Sequence, residues 1–185
     1  ENVRDKFLLK AVKSLDGLNT MIQDLLTLSK MEAGFIKMDY DIFDITLLTR
    51  DVFEQLEEQA AKRKITLLFD KPYQEVMVYA DAKRIRQVMI NLLENAIKYG
   101  SKNGNVEVGF SPNDHQLLDI TVKDDGPGIS VEHLDRIFER FYRIEKSRSK
   151  DKGGSGLGLA IVKHILTAHE TEIKVNSKVK KGTAF

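Results

Sequence analysis

Asn91-Leu-Leu-Glu-Asn95-Ala-Ile-Lys98-Tyr99 is the stretch from which the fold of this chain can be worked out. Asn91, Asn95 and Lys98 stand at i, i+4 and i+7, so they share one face of a helix. Ile85, Met89, Leu92 and Ala96 line the neighbouring, inward face, and Asp81 is a good N-cap for a helix over 82–99. Asparagine is a mediocre helix former, so two of them one turn apart in mid-helix need a reason. An amide oxygen is a hard, neutral ligand that suits Mg²⁺, which keeps most of its water while it binds a polyphosphate. Lys98, one turn on, can then neutralise phosphate charge. For this helix alone, a solvated polar face is the competing reading.

Two glycine-rich stretches downstream weigh against that alternative. Asp124-Asp-Gly126-Pro-Gly128 follows directly on a strand ending Ile120-Thr-Val122. Gly126 and Gly128 permit backbone conformations closed to other residues and let a flat ring approach the main chain. A carboxylate at a strand end accepts from an exocyclic amine, which favours adenine over guanine. Asp124 and Asp125 are adjacent, so on a strand they point oppositely, and Asp124 is the one expected in the pocket. Gly153-Gly-Ser-Gly156-Leu-Gly158-Leu159 opens onto an apolar helix. Unpaired N–H groups and the helix dipole make such a loop an anion site. It is neither a Walker P-loop, lacking Gly-Lys-Ser/Thr, nor a dinucleotide fingerprint, lacking a strand immediately before it. Arg143, Lys146, Arg148, Lys150 and Lys152 precede it, and this cationic segment could close over phosphates as a lid. The three stretches together point to ATP. Taken singly, a Gly-Pro turn with capping aspartates and a solvated loop would explain the second and third.

Outside these stretches the chain sets bounds. Its 185 residues suit one compact domain plus an extra element. With 42% apolar and 31% charged residues it is an ordinary globular sequence, and a net charge of +1 gives no global field toward nucleic acid. Without cysteine there is no disulfide, thiolate metal site or thiol nucleophile. His115, His133, His164 and His169 lack metal-ligand spacing and read as surface or packing histidines. No run of 18 apolar residues and no signal peptide is present. The chain begins and ends abruptly, which suggests a fragment.

Residues 2–33 read as one long helix. Leu8, Val12, Leu15, Asn19, Ile22, Leu26 and Ser29 recur at spacings of four and three, with a parallel stripe from Phe7 to Leu28. Two adjacent seams make a face wide enough for a four-helix bundle. Gly34 is the expected stop. The alternative is a helix docked on its own globular domain. Asp44 or Thr46 can cap a helix over 46–63. Strands are expected at 65–69 and 76–79 around a Pro72 turn, and at 105–110 and 117–122 as a hairpin. A short helix near 131–139, a helix over 157–169, a strand at 172–176 and an incipient one at 183–185 follow. Strands clustered with three longer helices predict an α+β class, a two-layer α/β sandwich with one mixed sheet covered by helices on one face.

These boxes together resemble the catalytic, ATP-binding domain of bacterial sensor histidine kinases, relatives of the gyrase, chaperone and mismatch-repair ATPases. Asp81-x-x-Arg84-x-x-Gln87 leading to Asn91 and Asn95 is similar to the N box. Asp124, Gly126 and Gly128 resemble the first glycine box, Phe138-Glu-Arg-Phe141-Tyr-Arg143 the F box, and Gly154 to Leu159 the second glycine box. Lys181-Gly182-Thr183 resembles the last short motif, near the adenine. Asp24-Leu-Leu-Thr-Leu-Ser-Lys-Met-Glu32 is similar to the end of the second dimerisation helix.

The resemblance implies a Bergerat-type ATP-binding fold over 35–185, preceded over 1–34 by one bundle-forming helix of the dimerisation and phosphoacceptor domain. It implies ATP and Mg²⁺ as cofactors, with Asn95 on the metal and Asn91, Asn95 and Lys98 as the catalytic set. Nucleotide contacts would come from those three and from Tyr99, Asp124, Gly126, Gly128, Ile129, Tyr142, Arg143, Gly154, Gly156, Leu157, Gly158, Leu159 and Thr183. Phe138, Phe141 and Tyr142 would anchor the lid. The superfamily's ATP hydrolases carry Glu where this chain has Asn91, and Asn cannot act as a base, which fits a kinase. The implied activity is transfer of the ATP γ-phosphoryl to a histidine on a first dimerisation helix, for relay to the receiver domain of a response regulator. None of the four histidines has the family's acceptor context, so this chain is expected to bind Mg-ATP without phosphorylating itself. The implied setting is a homodimer formed through the N-terminal helix, cytoplasmic, in a bacterial sensor that meets the membrane only through missing N-terminal regions.

Overall fold

The computed structural model describes residues 3–35, 37–72, 74–113, 117–144 and 154–185. Helix α1 spans Val3–Glu32, and Gly34 ends it as expected. With φ at +69°, Gly34 returns its N–H to the Met31 carbonyl, and Phe35 returns its own to Lys30. These two bonds satisfy the last orphan carbonyls of the helix. The two ends of α1 differ in surroundings. Phe7, Leu9 and Leu15 remain at least 65% exposed, whereas Leu28 is fully buried against the rest of the chain. The last third of α1 is therefore docked on its own domain, and its first two-thirds present an uncovered apolar face.

After α1 the chain runs β1 (Asp41–Asp44), α2 (Ile45–Arg63), β2 (Thr66–Phe69), β3 (Met77–Ala80) and α3 (Ala82–Tyr99). It continues as β4 (Asn105–Pro112), β5 (Leu118–Asp124), α4 (Val131–Leu134), α5 (Gly158–Ala168), β6 (Asn176–Lys178) and β7 (Gly182–Ala184). Five strands form one mixed sheet in the order β2-β4-β5-β7-β6, with β2 parallel to β4 and every other pair antiparallel. This is the α+β sandwich the pattern predicts, with one addition. β1 and β3 form a separate antiparallel ribbon, register Ile42 opposite Tyr79. The strands flanking Pro72 thus belong to different sheets.

Capping fixes where the helices start. Asp44 Oδ1 accepts from the Thr46 N–H, so Asp44 rather than Thr46 is the cap of α2. Asp81 caps α3 by accepting from Arg84 N–H at 3.0 Å. Such a cap stabilises a helix by about 1 kcal/mol. At the other end of α3, the Arg63 guanidinium donates to the carbonyls of Ile97, Lys98 and Gly100. A cation at a helix C-terminus also complements the dipole.

The core lies between the helices and one sheet face. Helix α3 buries Ile85, Val88, Met89, Leu92, Leu93, Ala96 and Ile97, alternating steps of three and one along its inner side. Val106 and Val108 of β4 and Val122 of β5 meet them from the sheet, with Ile161, Val162 and Ile165 of α5 beside them. Each fully buried aliphatic side chain contributes about 1.5–3 kcal/mol.

Two expected elements shift. The helix near 131–139 is regular only to Leu134, after which Arg136 and Glu139 bond three residues back and the chain tightens into turns. The strand expected at 172–176 forms at Asn176–Lys178, because only those residues lie opposite Gly182–Ala184. The incipient strand at 183–185 is β7, a full member of the sheet between β5 and β6.

Candidate functional site

Alternation along β5 decides the fate of the two adjacent aspartates. Asp119, Thr121 and Lys123 face out, and Val122 and Asp124 face the helices. Asp124 is 7% exposed, and its carboxylate accepts from the backbone N–H of Gly126 at 2.8 Å and from that of Thr183. Burial raises its pKa above the ordinary aspartate value, ahead of the lowering by these two bonds. Asp125 turns the other way and holds the end of α3, accepting from the N–H groups of Ser101 and Asn105. The two side chains point oppositely, with Asp124 on the inner side.

Around Asp124 the two glycines are needed for different reasons. A side chain at Gly126 would strike the Asp124 carboxylate and the Tyr99 carbonyl. At Gly128, with φ at +71°, the space is filled by the Lys178 carbonyl at 2.1 Å, so the β6–β7 turn packs directly on its backbone. Ser177 secures this corner. Its hydroxyl accepts from Ile129 N–H at 2.8 Å, donates to the Gly182 carbonyl, and lies 2.9 Å from the Thr183 hydroxyl. Nothing in a three-residue strand signals such a side-chain knot, and sequence reasoning missed Ser177.

The second glycine stretch lies along the polar face of α3. At Gly154 (φ +113°) a Cβ would sit 2.3 Å from Lys98 Nζ, and at Gly158 one would sit 3.1 Å from Asn91 Oδ1. At Gly156 (φ +73°) it would meet the Phe141 backbone at 3.0 Å, and Phe141 N–H donates to the Gly156 carbonyl. Three glycines spaced by two thus let the loop lie close against Lys98, the F-box segment and Asn91. The structure brings together the first helix face and the loop that the sequence could only set side by side.

Within that junction the Asn91 Nδ2 is buried and has no hydrogen-bond partner. A buried donor left unsatisfied costs about 1–3 kcal/mol, so it marks a place built for an acceptor. Lys98 Nζ lies 4.9 Å from the Tyr99 ring centroid. Leu157 is fully buried and Leu159 packs on the core, so only their main chain can face a ligand. Leu157 N–H is held by the Ser155 hydroxyl at 3.2 Å.

The F-box aromatics divide. Phe138 packs edge-on to Phe185, whereas Phe141, with φ at +61°, is 53% exposed. Tyr142 is clasped, its hydroxyl 2.7 Å from His133 Nδ1 and its ring under Arg136 at 4.3 Å. Arg143 and Ile144 end this described segment. The cationic stretch expected as a lid, Lys146, Arg148, Lys150 and Lys152, lies outside the described residues.

A fit to Mg-ATP can be tested on these groups. Among the described residues no three His, Asp or Glu side chains gather to cage a metal. The neutral amides of Asn91 and Asn95 suit a cation that arrives already bound to phosphates and water. The orphan Asn91 donor, the positive-φ glycines and Lys98 suit the phosphates, and the buried Asp124 suits an amine donor. The residues present fit the group.

Residues 80–185 match the family model described as histidine kinase-, DNA gyrase B- and HSP90-like ATPase. The adaptive-response sensory kinase SasA of Rippkaea orientalis is 34% identical over 183 residues, covering 99% of this chain and 46% of that kinase. The chain thus spans less than half the length of that relative. Full-length ShkA, solved in complex with AMPPNP, superposes with a TM-score of 0.84 at 27% identity, over 100% of this chain and 38% of ShkA. ThkA, solved in complex with the response regulator TrrA, gives 0.77 at 25% identity, over 100% of this chain and 50% of ThkA. No helix among the described residues is long and apolar enough to cross a membrane.

Proposed function

The chain belongs to the family of histidine kinase-, DNA gyrase B- and HSP90-like ATPases, and from that premise we propose that it is the Mg-ATP-binding part of a sensor histidine kinase. The observation that carries the reading is the meeting of Asn91 and Lys98 with the Gly154–Gly158 loop, around a buried donor with no acceptor. ATP, when bound with Mg²⁺, supplies the transferable γ-phosphoryl group. Asn95, with Asn91 beside it, holds the metal. Lys98 and the loop N–H groups take the phosphates, assisted by the dipole at the start of α5. Asp124 accepts from the adenine amine, between the Gly126–Ile129 turn and Thr183. Tyr99, Tyr142 and Arg143 border the nucleotide.

Transfer in such a site depends on positioning and charge neutralisation more than on covalent help from the protein. Position 91 is an amide and cannot take a proton from water, so the site favours a protein acceptor over hydrolysis. That acceptor is a histidine other than those described here. His133 is engaged with Tyr142, His164 with Glu32, and both nitrogens of His169 are bound, by Ile165 and Asp81. The uncovered face of α1 supports assembly with a second copy into a helical bundle, and the ThkA complex supports a receiver domain as the downstream partner. Mixing the chain with γ-labelled ATP, Mg²⁺ and an N-terminally extended version tests this. Label on the extended version with little free phosphate is expected. Steady phosphate release without labelled protein would overturn it in favour of an ATP hydrolase.

A further inference from the structure

We propose that Asp24 of α1 is an internal anion that occupies the phosphate loop and competes with a nucleotide's phosphates for it. The inference rests on the nucleotide reading of the Gly154–Gly158 loop. Ser155 lies within that loop. Its hydroxyl donates to Asp24 Oδ2 at 3.3 Å while accepting from the Leu157 N–H at the start of α5. The group that shapes the anion site is thus already bound to a carboxylate from a different element, 131 residues away in sequence.

The carboxylate is held there by a stripe of contacts. Asp24, Leu28 and Glu32 follow one another at intervals of four, so they lie on one face of α1. Leu28 is fully buried. Glu32 pairs with Arg140 of the F-box segment and lies 3.3 Å from His164 Nε2 on α5. Burial, then the charges of Arg140 and Lys163, lower the His164 pKa. The last third of α1 therefore clamps both flanks of the loop, with Asp24 as its tip.

Charge makes the two occupants exclusive. Burial raises the Asp24 pKa, ahead of the lowering by Ser155. Glu94, on α3 between Asn91 and Lys98, is raised as well, by burial first and by the Asp24 charge among the lesser causes. The Asp24 charge thus already disfavours the ionised form of a neighbouring carboxylate, and that same charge stands against a loop meant for a polyanion. A triphosphate seated there repels Asp24, and a docked Asp24 repels the triphosphate. By linkage the two antagonisms are equal in free energy. Nucleotide loads best when the last third of α1 lifts away, so helix position and nucleotide affinity report on one another.

Calorimetric titration of the chain with adenosine, Mg-ADP and Mg-ATP tests this, comparing wild type with Asp24→Asn and with Glu32→Gln, which loosens the clamp away from the loop. Asp24→Asn should tighten Mg-ATP by about three- to tenfold, the size of one screened repulsion across several ångströms. Mg-ADP should tighten less and adenosine not at all, and Glu32→Gln should shift Mg-ATP in the same direction. In wild type, Mg-ATP should speed amide hydrogen exchange over residues 20–32. Unchanged or weaker Mg-ATP binding by Asp24→Asn, with adenosine and ATP both still bound, overturns this inference alone. Absence of any adenosine or ATP binding overturns the nucleotide reading and this inference with it.

Discussion

Replacing Asn91 by leucine should make the nucleotide-free protein more stable and useless for binding. The two side chains are close in size, and the Nδ2 that leucine removes is buried without a partner. Relieving that unsatisfied donor returns about 1–3 kcal/mol. Leucine is also the better helix former in mid-α3, by roughly 0.5 kcal/mol. Imperfect fit against Gly158, whose missing side chain leaves room beside Asn91, subtracts up to about 1.5 kcal/mol. The net gain lies between about 0 and 3.5 kcal/mol, and its midpoint of about 2 kcal/mol lifts the melting temperature of a domain of this size by roughly 4–8 °C. Scanning calorimetry without nucleotide reads the gain directly. Adding Mg-ATP should then raise the melting point of wild type and leave that of Asn91→Leu where it was. A lowered melting point in the nucleotide-free variant, or an equal response to Mg-ATP, would refute the claim that this donor is kept for a ligand.

Asn95→Ala should sharply weaken nucleotide binding in Mg²⁺ while leaving the metal-free affinity nearly unchanged, and calorimetry with and without EDTA distinguishes the two. Gly182→Ala combines a φ of +90° with a Cβ placed 2.0 Å from the Asp124 carbonyl. Backbone strain and overpacking together should cost about 2–4 kcal/mol in urea unfolding. Asp124→Asn should relax discrimination of ATP over GTP, and it should change the pH dependence of stability. The folded-state pKa of Asp124 is raised, so the folded protein holds this proton more tightly than the unfolded chain does. Wild-type stability relative to Asp124→Asn should then fall as pH rises from the ordinary aspartate value through the raised one, and level off above it. A difference that grows in favour of wild type with rising pH would contradict the burial argument.

What the sequence revealed depended on how local the cause was. Helix α3 was legible to the residue because the Asp81 cap stands directly before the apolar period. Strand alternation told that Asp124 and Asp125 point oppositely, and the structure turns Asp124 inward. β1 was not legible: Asp-Ile-Phe-Asp is four residues long and its partner β3 lies beyond a helix and another strand. Residues 172–175 alternate like a strand, yet strand pairing follows the partner, and β7 is opposite only 176–178. In the site, residue types were legible and their meeting was not. Asn91 and Gly158 are 67 positions apart, and their contact exists only because α5 packs on α3. The docking of α1 stood only as the alternative reading, for another reason. Its stripes of four and three suit a bundle, and the same period also serves a helix lying on its own domain.

His169 and Gly158 mark the two ends of α5, and each is fixed to α3. Gly158 abuts Asn91, while the His169 imidazole accepts at Nε2 from the Asp81 N–H and binds the Ile165 carbonyl through Nδ1. The stretch of α3 between these points is about 15 Å long and that of α5 about 16 Å, at 1.5 Å per residue. The two rods are commensurate and run in opposite directions. A single-residue insertion within either would slide one joint by a quarter of a turn while the other stayed pinned. The pair therefore fixes a gauge length that evolution or engineering can decorate but not stretch.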